Sequence, residues 1–155
     1  MSHITKLQTK FSDLEALSEA CQELGLQLEQ GEGLTVLDYY GNSVPVEARI
    51  PFGRYSLGFQ RQADGTLTMA ADFWGIALHA TAPKVRAACQ GISGSVDQIS
   101  AQTQERLAKL LQRPYEVAVT RREIARNPKY RGYRVQEERN PDGEVVRITL
   151  ARRTY

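Results

Sequence analysis

The chain has 155 residues, 41% of them hydrophobic, and a formal net charge of +2. That length can bury a core without metals or disulfides; no apolar run approaches the roughly eighteen residues that cross a bilayer, and no basic-then-apolar leader pattern precedes the first strand. Cys21 and Cys89 are the only cysteines, too few for a disulfide framework, so a reduced, cytoplasmic setting is the default expectation.

Residues 3–11, HITKLQTKF, read as a first strand. Ser12 then opens a helix with Glu15 three places on, a capping box. Leu14, Leu17, Cys21 and Leu24 make its apolar stripe and Gly25 is placed to end it. In that stripe Cys21 reads as a small packed hydrophobe. Residues 26–30 and 34–39 look like strands about a Gly-Glu-Gly turn. Residues 44–50, VPVEARI, add a short strand whose Pro45 suits an edge or a strand start.

The segment YSLGFQRQADGTLTMAADFW, 55–74, alternates with period two on both sides of a polar turn, the pattern of a hairpin with one buried face. A three-residue Ala63-Asp64-Gly65 loop sets Phe59 opposite Met69, Leu57 opposite Ala71 and Tyr55 opposite Phe73, all on one face. A two-residue loop would put the two apolar sets on opposite faces, so burial selects the longer one. A glycine in the last loop position suits a left-handed residue there.

From 75 to 94 the chain is small, Ala-rich and Gly-punctuated, read as a connecting segment with a short helix after Pro83. Ser95 and Gln98 form a second capping box, and Val96, Ile99, Leu107 and Leu110 carry a helix towards Pro114, where an interior proline predicts a break. Residues 115–126 read as continuing helix, although YEVAVT, 115–120, alone also suits a strand. The end is a second hairpin around Asn140-Pro141-Asp142-Gly143. Turn chemistry favours a three-residue Pro-Asp-Gly loop. A four-residue loop instead puts Val135 against Ile148 and Tyr133 against Leu150, and burial favours that register. Tyr133 is then expected inside and Tyr130 outside.

Together these elements predict an α+β fold: a single domain over 1–155, with an antiparallel sheet built from the two hairpins plus the N-terminal strand and helices on one face. A ferredoxin-like arrangement is compatible with this order. Residues 113–155 form a basic helix-hairpin element. Charge is uneven: residues 1–112 hold 9 Lys and Arg against 12 Asp and Glu, whereas residues 113–155 hold 11 against 6.

Three blocks of the chain resemble the hypothetical chloroplast reading frame thirty-five family of bacteria, cyanobacteria and plastids. They are the opening MSHITKLQTKFSDLEALSEACQELG, the hairpin YSLGFQRQADGTLTMAADFW and the ending RGYRVQEERNPDGEVVRITLARR, together roughly half of the chain. Three features differ from that family: a longer 75–94 segment, Tyr133 in place of a usual Phe, and a tyrosine-rich helix matched only around Tyr115. The resemblance implies an α+β domain and an accessory role in an ATPase-linked assembly, and it brings no catalytic residues.

The chemistry-bearing residues are sparse. His3, His79, Cys21 and Cys89 lack the paired spacing of a metal site, and no phosphate-cradling glycine loop is present, so neither metal nor cofactor is expected. Asp72 beside Trp74, with Asp38 and Tyr39 on another strand, is the one place where acid–base catalysis is imaginable. The plainer reading makes both aspartates turn or cap residues. The basic element offers a binding surface: Arg121, Arg122, Lys129, Tyr130, Arg131 and Arg134 combine cations with aromatic rings. Such a mixture fits an acidic protein partner, or single-stranded nucleic acid through phosphate neutralisation and base stacking. The expectation is therefore a non-enzymatic interaction or accessory module, with nucleic-acid binding and an enzyme centred on Asp72 as the alternatives.

Overall fold

A computed structural model describes residues 3–152. Met1 and Ser2 of the opening block and Arg153 of the closing block lie outside them. The elements in chain order are β1 (Thr5–Gln8), α1 (Leu14–Glu23), β2 (Glu29–Gln30), β3 (Thr35–Leu37), β4 (Ser43–Pro45), β5 (Ala48–Pro51), β6 (Ser56–Arg61) and β7 (Leu67–Ala71). They continue with α2 (Phe73–His79), α3 (Pro83–Ala88), α4 (Val96–Arg126), a 3-10 turn at Pro128–Tyr130, β8 (Tyr133–Arg139) and β9 (Val145–Arg152). The fold is α+β, as the alternation of periods predicts.

The main sheet is antiparallel with strand order β1-β7-β6-β5-β2. Its central hairpin has the register that burial selected: Phe59 faces Met69 and Gly58 faces Ala70. Gln62 N–H donates to Thr66 O at 2.8 Å, closing the three-residue loop, and Gly65 takes φ +87°. Tyr55 and Phe73 do not pair, however. The strand stops at Ala71 because Asp72 caps α2, and Phe73 enters that helix.

Each face of the sheet has its own cover. Leu57, Phe59, Leu67 and Met69 join a core with Leu17, Ala20 and Cys21 of α1, Phe73 and Ile76 of α2, Val85 of α3, and Leu107, Leu111 and Tyr115 of α4. On the opposite face the β3–β4 ribbon lies over Gly58 and Ala70. A Cβ on Gly58 would stand 2.5 Å from Val46 Cγ1 and 2.8 Å from Val36 Cγ1, so only hydrogen fits there. β7, covered on both faces and flanked by two strands, is buried at every position.

Several expectations need correction. The two hairpins do not share a sheet: β8 and β9 form a separate two-stranded ribbon, which rules out the ferredoxin-like arrangement. The ribbon adds nothing to the core, and Val145 is its single buried residue. Residues 29–30 and 35–37 do not pair with each other, because β2 joins β5 and β3 joins β4. The 44–50 strand is split into β4 and β5. The cap of α1 is Asp13, whose carboxylate accepts from the N–H groups of Glu15 and Ala16, and not Ser12. The segment 75–94 contains the predicted helix after Pro83 and also most of α2.

At the second hairpin both rules operate. Asn140 N–H donates to Glu144 O at 2.9 Å, so the turn is the three-residue Pro141-Asp142-Gly143 loop. A bulge then shifts the ladder between Glu138 and Arg139, and Val135 comes opposite Leu150. The extra residue returns Val135 to the face of an apolar residue, but the expected four-residue loop and its Val135–Ile148 pair do not form: Ile148 lies opposite Glu137. Tyr133 lies opposite Arg152 rather than Leu150, and Tyr133 and Tyr130 are both half-buried, so neither is a core residue.

The largest departure is at Pro114. α4 runs 31 residues straight through it, with the Ser95–Gln98 capping box formed as expected. Proline lacks the N–H that would bond the Leu110 carbonyl, so the helix persists on tertiary contacts: Leu107, Leu111, Tyr115 and Ala118 bury one continuous stripe on both sides of it. A proline that interrupts a helix held this way costs stability. Pro114→Ala should therefore raise the stability measured by urea unfolding by about 2 kcal/mol, and an unchanged or lower midpoint would mean that the proline shape is itself required for packing.

Candidate functional site

The Asp38 and Asp72 carboxylates lie at one end of the sheet, and both are committed to backbone groups. Asp72, 0% exposed, accepts from Gly75 N–H at 3.0 Å through Oδ1 and from Tyr39 N–H at 2.9 Å through Oδ2. Asp38, 4% exposed, accepts from the N–H groups of Tyr40 and Asn42, each at 2.8 Å, and from the Asn42 side-chain amide at 3.0 Å. Burial pushes the Asp38 carboxyl up, but the bonds from Asn42 and Tyr40 outweigh it and hold the group below its ordinary value. The plainer reading of these aspartates, cap and turn, is what the geometry gives.

What they position is a ridge of rings. Asp38 and Gly41, at φ +84°, shape the β3–β4 turn that carries Tyr39 and Tyr40. Asp72 ties that turn to the start of α2, which carries Trp74, Leu78 and His79. Tyr40 meets Tyr39 edge to face at 5.3 Å, and Tyr39 meets Trp74 at 5.9 Å in the same manner. Trp74 meets His79 at 6.4 Å, and His79 stacks on Tyr55 at 5.6 Å. His3 closes on Tyr40 from the other end at 5.8 Å. The Arg54 guanidinium lies over the Tyr55 ring at 5.5 Å and reaches Tyr39 O at 3.5 Å. Tyr40 is 57% exposed, Leu78 55% and Tyr39 42%. Rings and a cation held on a rigid base are the residue types that dominate protein interfaces. Sequence reasoning singled out Asp38, Tyr39, Asp72 and Trp74 for acid–base work. It missed the ridge, whose one local signal is the adjacent tyrosine pair inside an Asp-Tyr-Tyr-Gly turn.

The basic C-terminal element comes apart into two groups. Arg121 grips Glu137 with Nε at 2.6 Å and Nη2 at 2.8 Å. Arg122 meets three acids of the first helical region: Glu15, Glu19 at 3.2 Å, and Asp13, whose Oδ2 lies 3.3 Å from Nε outside hydrogen-bond geometry. These two arginines therefore brace the fold. Arg126 and Arg139 add contacts to Glu15 at 3.7 Å and Glu23 at 2.6 Å. The second group is Lys129, Tyr130, Arg131 and Arg134. Among the described residues none of these three cations has an ion pair, and the Lys129 ammonium lies over one face of the Tyr130 ring at 4.9 Å. The free positive charge is thus smaller than the sequence suggests.

Among the described residues no group of three or more His, Cys, Asp or Glu side chains could hold a metal, and no helix is long and apolar enough to cross a membrane. Burial pushes the Cys21 thiol up to about 12, which leaves it a packed hydrophobe. Comparison with protein-family models, curated proteins and solved structures finds no match, so the family resemblance rests on the three sequence blocks alone.

Two outcomes test this geometry. Asp72→Ala strips two N–H groups of their acceptor and should cost about 3 kcal/mol by urea unfolding. A loss below that of an ordinary exposed cap would show that the two segments are held otherwise. The bond from Arg121 holds the Glu137 carboxyl below its ordinary value of 4.5. A group with a depressed folded value binds its proton less readily when folded, so its contribution is present above pH 4.5 and is lost as pH falls through the folded value. The stability gap between the parent and Glu137→Gln should accordingly shrink below pH 4.5, and a gap independent of pH would contradict the pairing.

Proposed function

We propose that this chain is a non-catalytic interaction module, an accessory protein whose ridge of Tyr39, Tyr40, Trp74 and Leu78 docks on a protein partner bearing carboxylates. The observation that carries this reading is the exposure of Tyr40, Tyr39 and Leu78 on a base made rigid by Asp38 and Asp72. Exposed rings that lose little conformational freedom on contact make strong anchors. The cation beside them, Arg54, and the two imidazoles at His3 and His79 favour an acidic rim on the partner. Aspartates that hold backbone N–H groups are using their oxygens for structure, which supports a binding role over acid–base catalysis.

A second surface, Lys129, Arg131 and Arg134 with Tyr130, supports nucleic-acid binding less strongly, because Lys129 occupies one face of the Tyr130 ring. Its three cations would give a shallow salt dependence.

A photo-crosslinking phenylalanine at position 40 should trap a discrete protein from a lysate of the native host, and the same group at Arg131 should not. Tyr40→Ser should abolish binding of the trapped partner while changing stability by less than about 1 kcal/mol. Trapping at 131 but not at 40, or trapping of nucleic acid, would move the function to the C-terminal element.

A further inference from the structure

β1 is an edge of the main sheet, and its free side faces a groove. Among the described residues its four positions pair with β7 alone, from Thr5↔Ala71 to Gln8↔Thr68. Thr9 N–H donates to Leu67 O at 3.3 Å, so the odd-numbered residues turn their backbone groups towards β7. By the alternation of an antiparallel ladder, the N–H and C=O groups of Lys6 and Gln8 point away from the sheet. Such a row is a template for another strand. Lys6, exposed on this strand, discourages indiscriminate pairing without covering the edge.

Beside this edge runs α4. Ala101, Gln104, Ala108 and Gln112, spaced on one helical face, stand across from Leu7 and enclose a groove of about 460 Å³. Ala108 and Gln112 also line its continuation, about 370 Å³, along Gln8 to Phe11. Gln104 Nε2 donates to Thr5 Oγ1 at 2.7 Å and fixes helix to strand at one end. The two alanines leave room that a longer residue would fill. Charge along the groove cancels, Glu105 and Glu116 against Lys10 and Lys109, so it has no attraction for a polyanion. What the site presents is unpaired main chain along one wall and small or amide side chains along the other.

We propose that this groove binds an extended, uncharged peptide segment of a protein partner, which adds to β1 as an outer strand and sets small alternate side chains against Ala101 and Ala108. Main-chain bonds supply affinity, and the alternate side chains supply selectivity. The site shares no residue with the aromatic ridge, so each can fail without the other.

The probe is a displayed library of random peptides selected against the full chain, with the enriched sequence labelled for fluorescence anisotropy. Gln112→Trp, which fills the groove from an exposed helical position, and Lys6→Pro, which removes an outward N–H, should each raise Kd by about tenfold or more with circular dichroism unchanged. Gln112→Trp alone decides the matter if Lys6→Pro disturbs β1. Saturating peptide should also slow hydrogen exchange at the Lys6 and Gln8 amides. Three results would overturn the proposal. One is no enrichment over an unrelated protein; another is binding that neither the variants nor those amides register. The third is sedimentation showing that two copies of this chain already pair through the edge.

Discussion

The Tyr115 hydroxyl accepts the N–H groups of Ser12 and Asp13 at 2.9 and 3.1 Å, and its ring lies 4.7 Å from Phe11. This contact joins the end of the first strand and the start of α1 to the middle of α4. A buried phenol needs a partner for its oxygen, and here it satisfies two backbone donors ahead of the helix. Arg122, two turns further along α4, repeats the junction electrostatically by collecting Asp13, Glu15 and Glu19. Burial works against that guanidinium's charge, yet the surrounding carboxylates hold its pKa above the ordinary value. With α4 fixed on α1, its apolar stripe continues on both sides of Pro114 and shares one core with the sheet, α2 and α3.

The same logic of satisfying backbone donors builds the candidate interface. Asp38 and Asp72 have the residue types and the burial of catalytic carboxylates. Their oxygens instead hold together a turn and a helix start that are far apart in sequence. Because the fasteners lie beneath the surface, the rings above them can stay exposed without becoming mobile. Affinity from aromatic anchors depends on such preorganisation, since ordering a loose ring on contact would oppose binding. Site and scaffold are in this sense one construction, in which the buried polar groups matter for binding through what they position.

The charge asymmetry of the sequence meets a parallel fate. Acids of the N-terminal half and arginines of the C-terminal half are brought face to face where α1 meets α4 and the β8–β9 ribbon, so much of the opposing charge cancels within the molecule. The ribbon is held to the body by Arg121–Glu137, Arg139–Glu23 and Val145 rather than by a shared core. A two-stranded ribbon has little stability of its own, so these few anchors carry its placement.

The sequence by itself determined what local chemistry controls. Period-two alternation and Gly65 set the central hairpin and its register, Ser95 and Gln98 set the start of α4, and the order of patterns set the α+β class. Only the tertiary structure decided whatever depended on partners distant in the chain. The persistence of α4 through Pro114 required a buried stripe on both sides of it. The separation of the second hairpin from the sheet followed because its faces met solvent and salt bridges rather than the core. The basic element lost Arg121 to Glu137, 16 residues away on the following hairpin, and Arg122 to Glu19, 103 residues away, where no local window reaches. The ridge draws His3, Tyr39, Tyr40, Trp74 and His79 from three segments; the Tyr39–Asp72 hydrogen bond joins two of them, and His3, from the third, meets the Tyr40 ring. Local rules act through residues a few places apart, whereas a surface is composed by whichever segments the core happens to juxtapose.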